Sequence, residues 1–257
     1  MLRTNTPASE GADDFQAVPT FGVIPPFGAD TPFSFADIVP NFSPTMLLHG
    51  EQYLEVRKWP IPTAAKLVSH ARLLEVVDKG NAAIVRTGVD TVDARTGEPV
   101  FYNESVVFLR GCGGFGGAAR PRDRGAATAP NPPPSRPADA IAEDRTAPEQ
   151  AAVYRLSGDY NPLHVDPAFA RLGGFDAPIL HGLCFFGVAG RAVYDRFGPF
   201  RSLKVRFAGT VVPGQTLVTE MWREGARVVF QTRVKETGKL AIGGGGAELV
   251  GEDKGRL

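Results

Sequence analysis

Two blocks of this chain alternate apolar and polar residues, and a different period separates them. Along residues 64–75, 82–92 and 99–109, β-branched and aromatic side chains recur with partial alternation. The turn sequences Asp78-Lys79-Gly80-Asn81 and Arg95-Thr96-Gly97-Glu98 punctuate that block. Residues 202–207, 216–222, 227–234 and 240–250 repeat the pattern near the other end. Period-two patterning predicts strands with one face buried. Residues 181–196 read differently: Leu183, Phe186, Val188, Ala189, Ala192 and Val193 leave little polar surface, which predicts a buried helix. The matching segment of the first half, Pro19 to Ile24, is flanked by Pro19, Pro25 and Pro26. Proline interrupts helices, so this one is expected to be short. Each half thus reads as a run of antiparallel strands after an apolar segment.

Pro130, Pro132, Pro133, Pro134 and Pro137 crowd the middle of the chain among Ala, Arg and Asp. A segment of that composition buries too little apolar surface to offset its ordering entropy, and predicts an exposed linker. The expected organisation is residues 1–117, a linker over 118–148, and residues 149–257. With 257 residues, 43% hydrophobic and 22% charged, the chain has ample material for a core. A formal net charge of zero gives no electrostatic reason to expect nucleic acid as a partner. No apolar run approaches the roughly 18–20 residues a spanning helix needs. The first fifteen residues carry no apolar stretch of the secretory type, so secretion is not expected. Cys112 and Cys184 fall in different halves and read as reduced thiols rather than a disulfide. The terminal Gly-Arg-Leu follows the peroxisomal Ser-Lys-Leu address only in outline, with Gly at its first position.

Chemistry concentrates in residues 154–170. Asp159 stands five positions before His164, with Gly158, Asn161 and Pro162 among them. Gly, Asn and Pro shape turns, so a tight loop can aim the carboxylate and the imidazole at one point, as general acid–base work requires. An arbitrary Asp/His pair is more often a structural ion pair. Here Gly182 follows at the start of the predicted helix, where free backbone N–H groups favour developing negative charge. Asn161 reads either as a turn former or as a group orienting water or His164, and Gly182 either as an oxyanion donor or as a close-packing glycine. Two other features mislead. The run from Gly111 to Gly116 matches G-x-G-x-x-G, yet the chain continues to Arg120-Pro121 and not into a helix, so a dinucleotide site is not expected. His49, His70, His164 and His181 lack metal-ligand spacing, so no metal site is expected. Ser157 sits outside a G-x-S-x-G elbow.

Tyr154, Ser157, Gly158, Asp159, Asn161, Pro162, Leu163 and His164 fill the signature of the (R)-specific enoyl-CoA hydratase 2 family, the MaoC-like dehydratases. The resemblance extends to Pro19–Ile24, 47–56, 76–80, 113–117 and 204–217, sequences similar to the hydratase part of peroxisomal multifunctional enzymes of type 2. It implies an α+β double hot-dog, two tandem repeats each wrapping an antiparallel sheet around a helix. Family members carry a strand ahead of the segment at Pro19, which leaves the completeness of the first repeat in question. It further implies reversible hydration of trans-2-enoyl-CoA to (3R)-3-hydroxyacyl-CoA without cofactor, the CoA thioester being substrate. Asp159, His164, Asn161 and Gly182 would carry catalysis. His49, Gly50, Lys79 and Phe207 would contact the acyl-CoA, Lys79 at its phosphates, although Lys79 alone reads as a solvated turn lysine and Phe207 as a core aromatic. One active site per chain is expected, because the His49-Gly50 pair that parallels His181-Gly182 has no acid–base loop beside it. A homodimer, a separate (3R)-hydroxyacyl-CoA dehydrogenase downstream, and a peroxisomal or bacterial cytoplasmic setting follow from the same resemblance. Neither membrane insertion nor nucleic acid is expected. Two alternatives stand beside it: a hot-dog thioesterase that releases free CoA, and a non-catalytic acyl-CoA-binding subunit.

Overall fold

The computed structural model describes residues 15–251. Whether the first repeat is complete ahead of Pro19 turns on residues 1–14, which lie outside those described. Among the described residues, nine strands form one continuous antiparallel sheet. Its first-half strands are β1 (Leu47–Val56), β2 (Leu67–Asp78), β3 (Ala82–Asp93) and β4 (Pro99–Arg110), and its second-half strands are β5 (Ala140–Arg145), β6 (Phe200–Phe207), β7 (Thr216–Glu224), β8 (Arg227–Val234) and β9 (Leu240–Leu249). Their spatial order is β2-β3-β4-β1-β6-β9-β8-β7-β5, so the halves meet where β1 pairs with β6, Glu51 opposite Arg206 through Glu55 opposite Ser202. The predicted α+β double hot-dog is borne out. The strand patterns anticipated seven of these nine strands; β1 and β5 went unread.

The helices are α1 (Phe35–Ile38), α2 (Gln150–Arg155), α3 (Pro167–Leu172) and α4 (Gly182–Phe197). The run predicted over 181–196 is α4, with His181 at its N-cap and Gly198, at φ 87°, ending it in a conformation that favours glycine. Its apolar side chains pack against the concave face of the sheet in a core that joins both halves, with Leu54, Val56 and Phe101 of the first half beside Phe185, Phe186 and Val193. Full burial of a side chain such as Phe186 stabilises by about 1.5–3 kcal/mol.

Among the described residues, the first half has no counterpart of α4. The proline-bracketed segment forms two successive 3₁₀ turns, Pro19–Val23 and Pro25–Gly28. The first is wedged between α4 and the sheet. A Cβ on Gly22 would stand 2.6 Å from the Phe101 ring, and one on Gly190 of α4 would stand 2.3 Å from Thr20. Buried side-chain amides fasten it: Asn103 Nδ2 donates to the Gly22 carbonyl at 2.9 Å, and Gln52 Nε2 donates to Asn103 Oδ1 at 2.9 Å.

The expected linker over 118–148 needs correcting. Most of it is exposed, but it is an ordered strap across the convex face of the sheet, and its end is strand β5. Arg124 grips the buried Glu104 of β4 through Nε at 2.9 Å and Nη2 at 2.6 Å. Further on, the Ala129 carbonyl accepts from Lys204 Nζ of β6 at 3.1 Å, and Asn131 donates to Gly244 O of β9 at 3.1 Å. The Trp222 indole of β7 donates to the Arg136 carbonyl at 2.8 Å. The glycine run of β9 makes room: a Cβ on Gly244 would lie 2.7 Å from Pro130 O, and one on Gly246 would lie 2.4 Å from Asn131. Composition misled here because polar partners on the sheet, rather than apolar burial, order the strap.

Candidate active site

Asp159 and His164 lie on the short connection between α2 and α3. Asn161 caps a 3₁₀ turn at Pro162–His164 by accepting the Leu163 N–H on Oδ1 at 3.0 Å, and its own N–H donates to Asp159 Oδ1 at 3.1 Å. Those two bonds explain the spacing of the motif. Asn161 sets the turn that swings His164 back toward Asp159, while its Nδ2 amide stays uncommitted to that turn. Leu163 anchors the loop in a small apolar cluster with Ala170 and Ile179.

His164 is buried, and its Nδ1 lies 2.7 Å from the Ile179 carbonyl. A carbonyl only accepts, so Nδ1 carries the proton and Nε2 keeps the free lone pair. Burial lowers the His164 pKa below its ordinary value, while Asp159 works in the opposite direction. The imidazole is thus neutral near pH 7 and able to accept a proton. Gly182 opens α4. The Cys184 and Phe185 amides bond to the His181 carbonyl at 3.0 and 3.5 Å, leaving the Gly182 N–H at the open end of the helix. A Cβ on Gly182 would lie 3.3 Å from the Phe207 ring, so the glycine lets that aromatic and the helix start close on one another.

All three groups line a cavity of about 560 Å³ that reaches across the seam into the first half. Asp159, Asn161, His164, Gly182, His49 and Phe207 are brought together on its wall. The His49 ring stands edge-on to Phe207 at 4.8 Å, its Nε2 3.1 Å from the Glu51 carbonyl, and burial pushes its pKa down to about 4. Two predicted residues stand apart from the lining. Gly50 forms the bulge in β1 just behind His49, and Lys79, in the β2–β3 turn, donates to the Ala119 carbonyl at 3.0 Å. The glycine run at 111–117 cradles no phosphate: the Gly80, Gly114 and Gly116 amides all donate to the Asp78 carboxylate. Sequence reasoning passed over Gln52 and Asn103, which lie in the lining. Their signal was a polar residue at a buried strand position.

Polar atoms of Asp159, His164 and His181 lie within 4.8 Å of one another. The two imidazoles stack, centroids 3.8 Å apart and planes at 29°, so their lone pairs run side by side.

Comparison with known proteins agrees with this geometry. Residues 8–111 match the MFE-2 hydratase 2 N-terminal domain, and residues 129–244 match the MaoC-like domain. A peroxisomal hydratase-dehydrogenase-epimerase of Neurospora crassa is 72% identical over 241 residues, covering 94% of this chain. The chain spans only 27% of that protein's length. A peroxisomal enoyl-CoA hydratase 2 of Arabidopsis thaliana is 42% identical over 248 residues, with 91% of this chain and 78% of that protein covered. The structure of a MaoC-like dehydratase from Phytophthora capsici superimposes with a TM-score of 0.81 at 37% identity, over 95% of this chain and 86% of that one. With the acid–base loop, the glycine-started helix and both matching domains in one chain, this protein belongs to the MaoC-like enoyl-CoA hydratase 2 family.

Proposed function

We propose that the chain is a lyase that reversibly hydrates trans-2-enoyl-CoA to (3R)-3-hydroxyacyl-CoA in acyl-CoA oxidation. The observation that carries this reading is the placement of Asp159, His164 and the Gly182 N–H on the wall of one cavity. A water held between Asp159 and His164 adds its oxygen to C3 and passes a proton to Nε2 of His164. Electron density moves to the thioester oxygen, where the Gly182 N–H stabilises it. A donor of this kind is typically worth about 2.7–4 kcal/mol of barrier. The imidazolium, held by the Asp159 charge, then delivers its proton to C2, and the Asn161 amide orients the water. The whole of H₂O is added and the neutral imidazole returns, so the cycle calls for no metal or redox cofactor. The (R) outcome is that of the family.

The first half takes the substrate. His49 and Phe207 border the thioester end of the cavity, and Phe33, Phe35, Ala71, Thr87, Val89 and Val107 give it apolar walls suited to a medium or long acyl chain. Lys79, on the exposed turn, and Gly50 meet the CoA moiety outside the cavity. The relatives' names support a peroxisomal setting, and the fused relatives support a (3R)-hydroxyacyl-CoA dehydrogenase acting next on the product. Among the described residues, no helix is long and apolar enough to cross a membrane. The protein pairs as a homodimer; exposed Val153, Leu156, Tyr160 and Leu172 offer an apolar face for it, and a monomeric mass by light scattering would rule the pairing out.

The test is loss of enoyl-thioester absorbance with crotonyl-CoA and trans-2-decenoyl-CoA, with chiral analysis of the product and a parallel assay for free thiol. Wild-type protein should give the (3R) alcohol without thiol release, and Asp159→Asn and His164→Ala should each lose about 10²–10⁴-fold in kcat. Thiol release, or full activity in either variant, would overturn the reading.

A further inference from the structure

His181 is the least economical residue in the core. It is fully buried, yet neither ring nitrogen meets a hydrogen-bond partner among the described residues. Burying an imidazole without partners forfeits its bonds to water and gains none in return. An apolar residue at an N-cap between helix and sheet would carry no such penalty, so the ring itself has a use. Its surroundings say what that use is. One face lies on His164, centroids 3.8 Å apart and planes at 29°, and Tyr154 of α2 packs on it at 4.9 Å and 48°. The Asp159 backbone lies near the ring without completing a hydrogen bond to either nitrogen. His181 thus touches both members of the acid–base pair while its own atoms are shut off from the cavity.

On the reading of the site given above, we infer that His181 is a positioning residue: its flat face, backed by Tyr154, fixes the plane of the His164 ring so that Nε2 keeps its aim at the reacting water. The Ile179 carbonyl holds His164 at one atom only and leaves rotation about that bond open. A second constraint, on the ring face, removes that freedom. A misplacement of about 1 Å in such a group can cost about 100-fold in rate.

The same contact keeps water off the His164 ring, which gives it an electrostatic consequence. The groups that face the pair are Asp159 on the loop, and Arg155 and Tyr154 on α2. Of these, Asp159 favours a proton on the histidines and Arg155 opposes it. Burial, then the neighbouring His164, pushes the His181 pKa down to about 4, so both rings are neutral at working pH. Loosening the stack admits water, relieves the desolvation of His164 and moves its pKa upward, and the acid limb of kcat moves to higher pH with it.

Two space-filling substitutions separate the flat face from mere bulk. In His181→Phe the stack remains, and kcat is expected within about tenfold of wild type with the acid limb unmoved or lower. In His181→Leu the volume is filled without a flat face; kcat should fall at least tenfold below the Phe variant and KM should change less than threefold, with the acid limb at higher pH. Equal kcat in the Leu variant and wild type would overturn the inference, and so would equal losses in the two variants. Should the Leu variant fail to fold in a thermal melt, the Phe variant decides alone, and a loss beyond tenfold in it sinks the idea. Inactive wild-type protein, by contrast, would count against the hydratase reading itself.

Discussion

The two halves share one sheet and differ in what fills its concave side. The second half sets the sixteen-residue α4 against its strands, and the described residues of the first set two 3₁₀ turns there. The segment that stands in for a helix there is held by the amides of Asn103 and Gln52 as well as by the burial of Val23. Space that a helix would occupy remains open, and the cavity runs into it. The half with the complete helix carries the acid–base loop and the helix N-terminus. The half without it supplies room for a ligand. On the proposed reading chemistry falls to one half and ligand room to the other, and the HG pairs differ in the same sense: Gly182 starts a helix, whereas Gly50 makes a strand bulge.

The largest effect that would sharpen this contrast comes from substituting one cavity-lining histidine in each half. His164→Ala should cost about 10²–10⁴-fold in kcat, whereas His49→Ala in the first half should leave kcat within about threefold and raise KM by about 3–10-fold. A kcat loss of similar size in both variants would erase the division between chemistry and binding. Next in size is a change confined to the first-half wall. Thr87→Trp places a bulky ring in the cavity, and should cut kcat/KM for decenoyl-CoA at least tenfold while sparing crotonyl-CoA. Equal losses on both substrates would mean that the acyl chain does not enter the first half. The smallest effect concerns stability. His49 and His181 are held neutral with pKa values lowered to about 4, below the ordinary 6.5. Unfolding lets both take up protons between pH 6.5 and 4, so stability is full above that window and falls as pH drops through it. A melt at pH 5 should come a few degrees below one at pH 7, and replacing His49 with Gln should remove part of that difference. A Tm unchanged from pH 7 to pH 5 would contradict the burial of these rings.

Much of this was legible because its signals are local. The spacing of Asp159, Asn161 and His164 is set by turn geometry within six residues, and α4 advertised itself by an unbroken apolar run. What escaped notice depends on partners far along the chain. Strand β1 carries a bulge at Gly50 and a buried Gln52, which spoil its alternation; that glutamine is satisfied by Asn103, fifty-one residues away. Strand β5 turns Ile141 to solvent and Ala140 and Ala142 toward the core, against the usual pattern, because it is a short edge strand recruited by β7. The strap read as a bare exposed linker because its partners on the sheet are a carboxylate, a lysine, a glycine carbonyl and an indole. His181 was read as half of an HG pair, since nothing in one dimension shows which ring lies on which.

The seam between β1 and β6 carries a further consequence. The halves are joined by a strand ladder inside a common apolar core, and the strap is fastened to strands on both sides of that ladder. Such a molecule has no weak plane along which to come apart. Amide hydrogen exchange at Gln52, Leu54, Leu203 and Val205 will therefore report opening of the whole sheet at once, and a protease will find the two halves inseparable until the entire chain has unfolded.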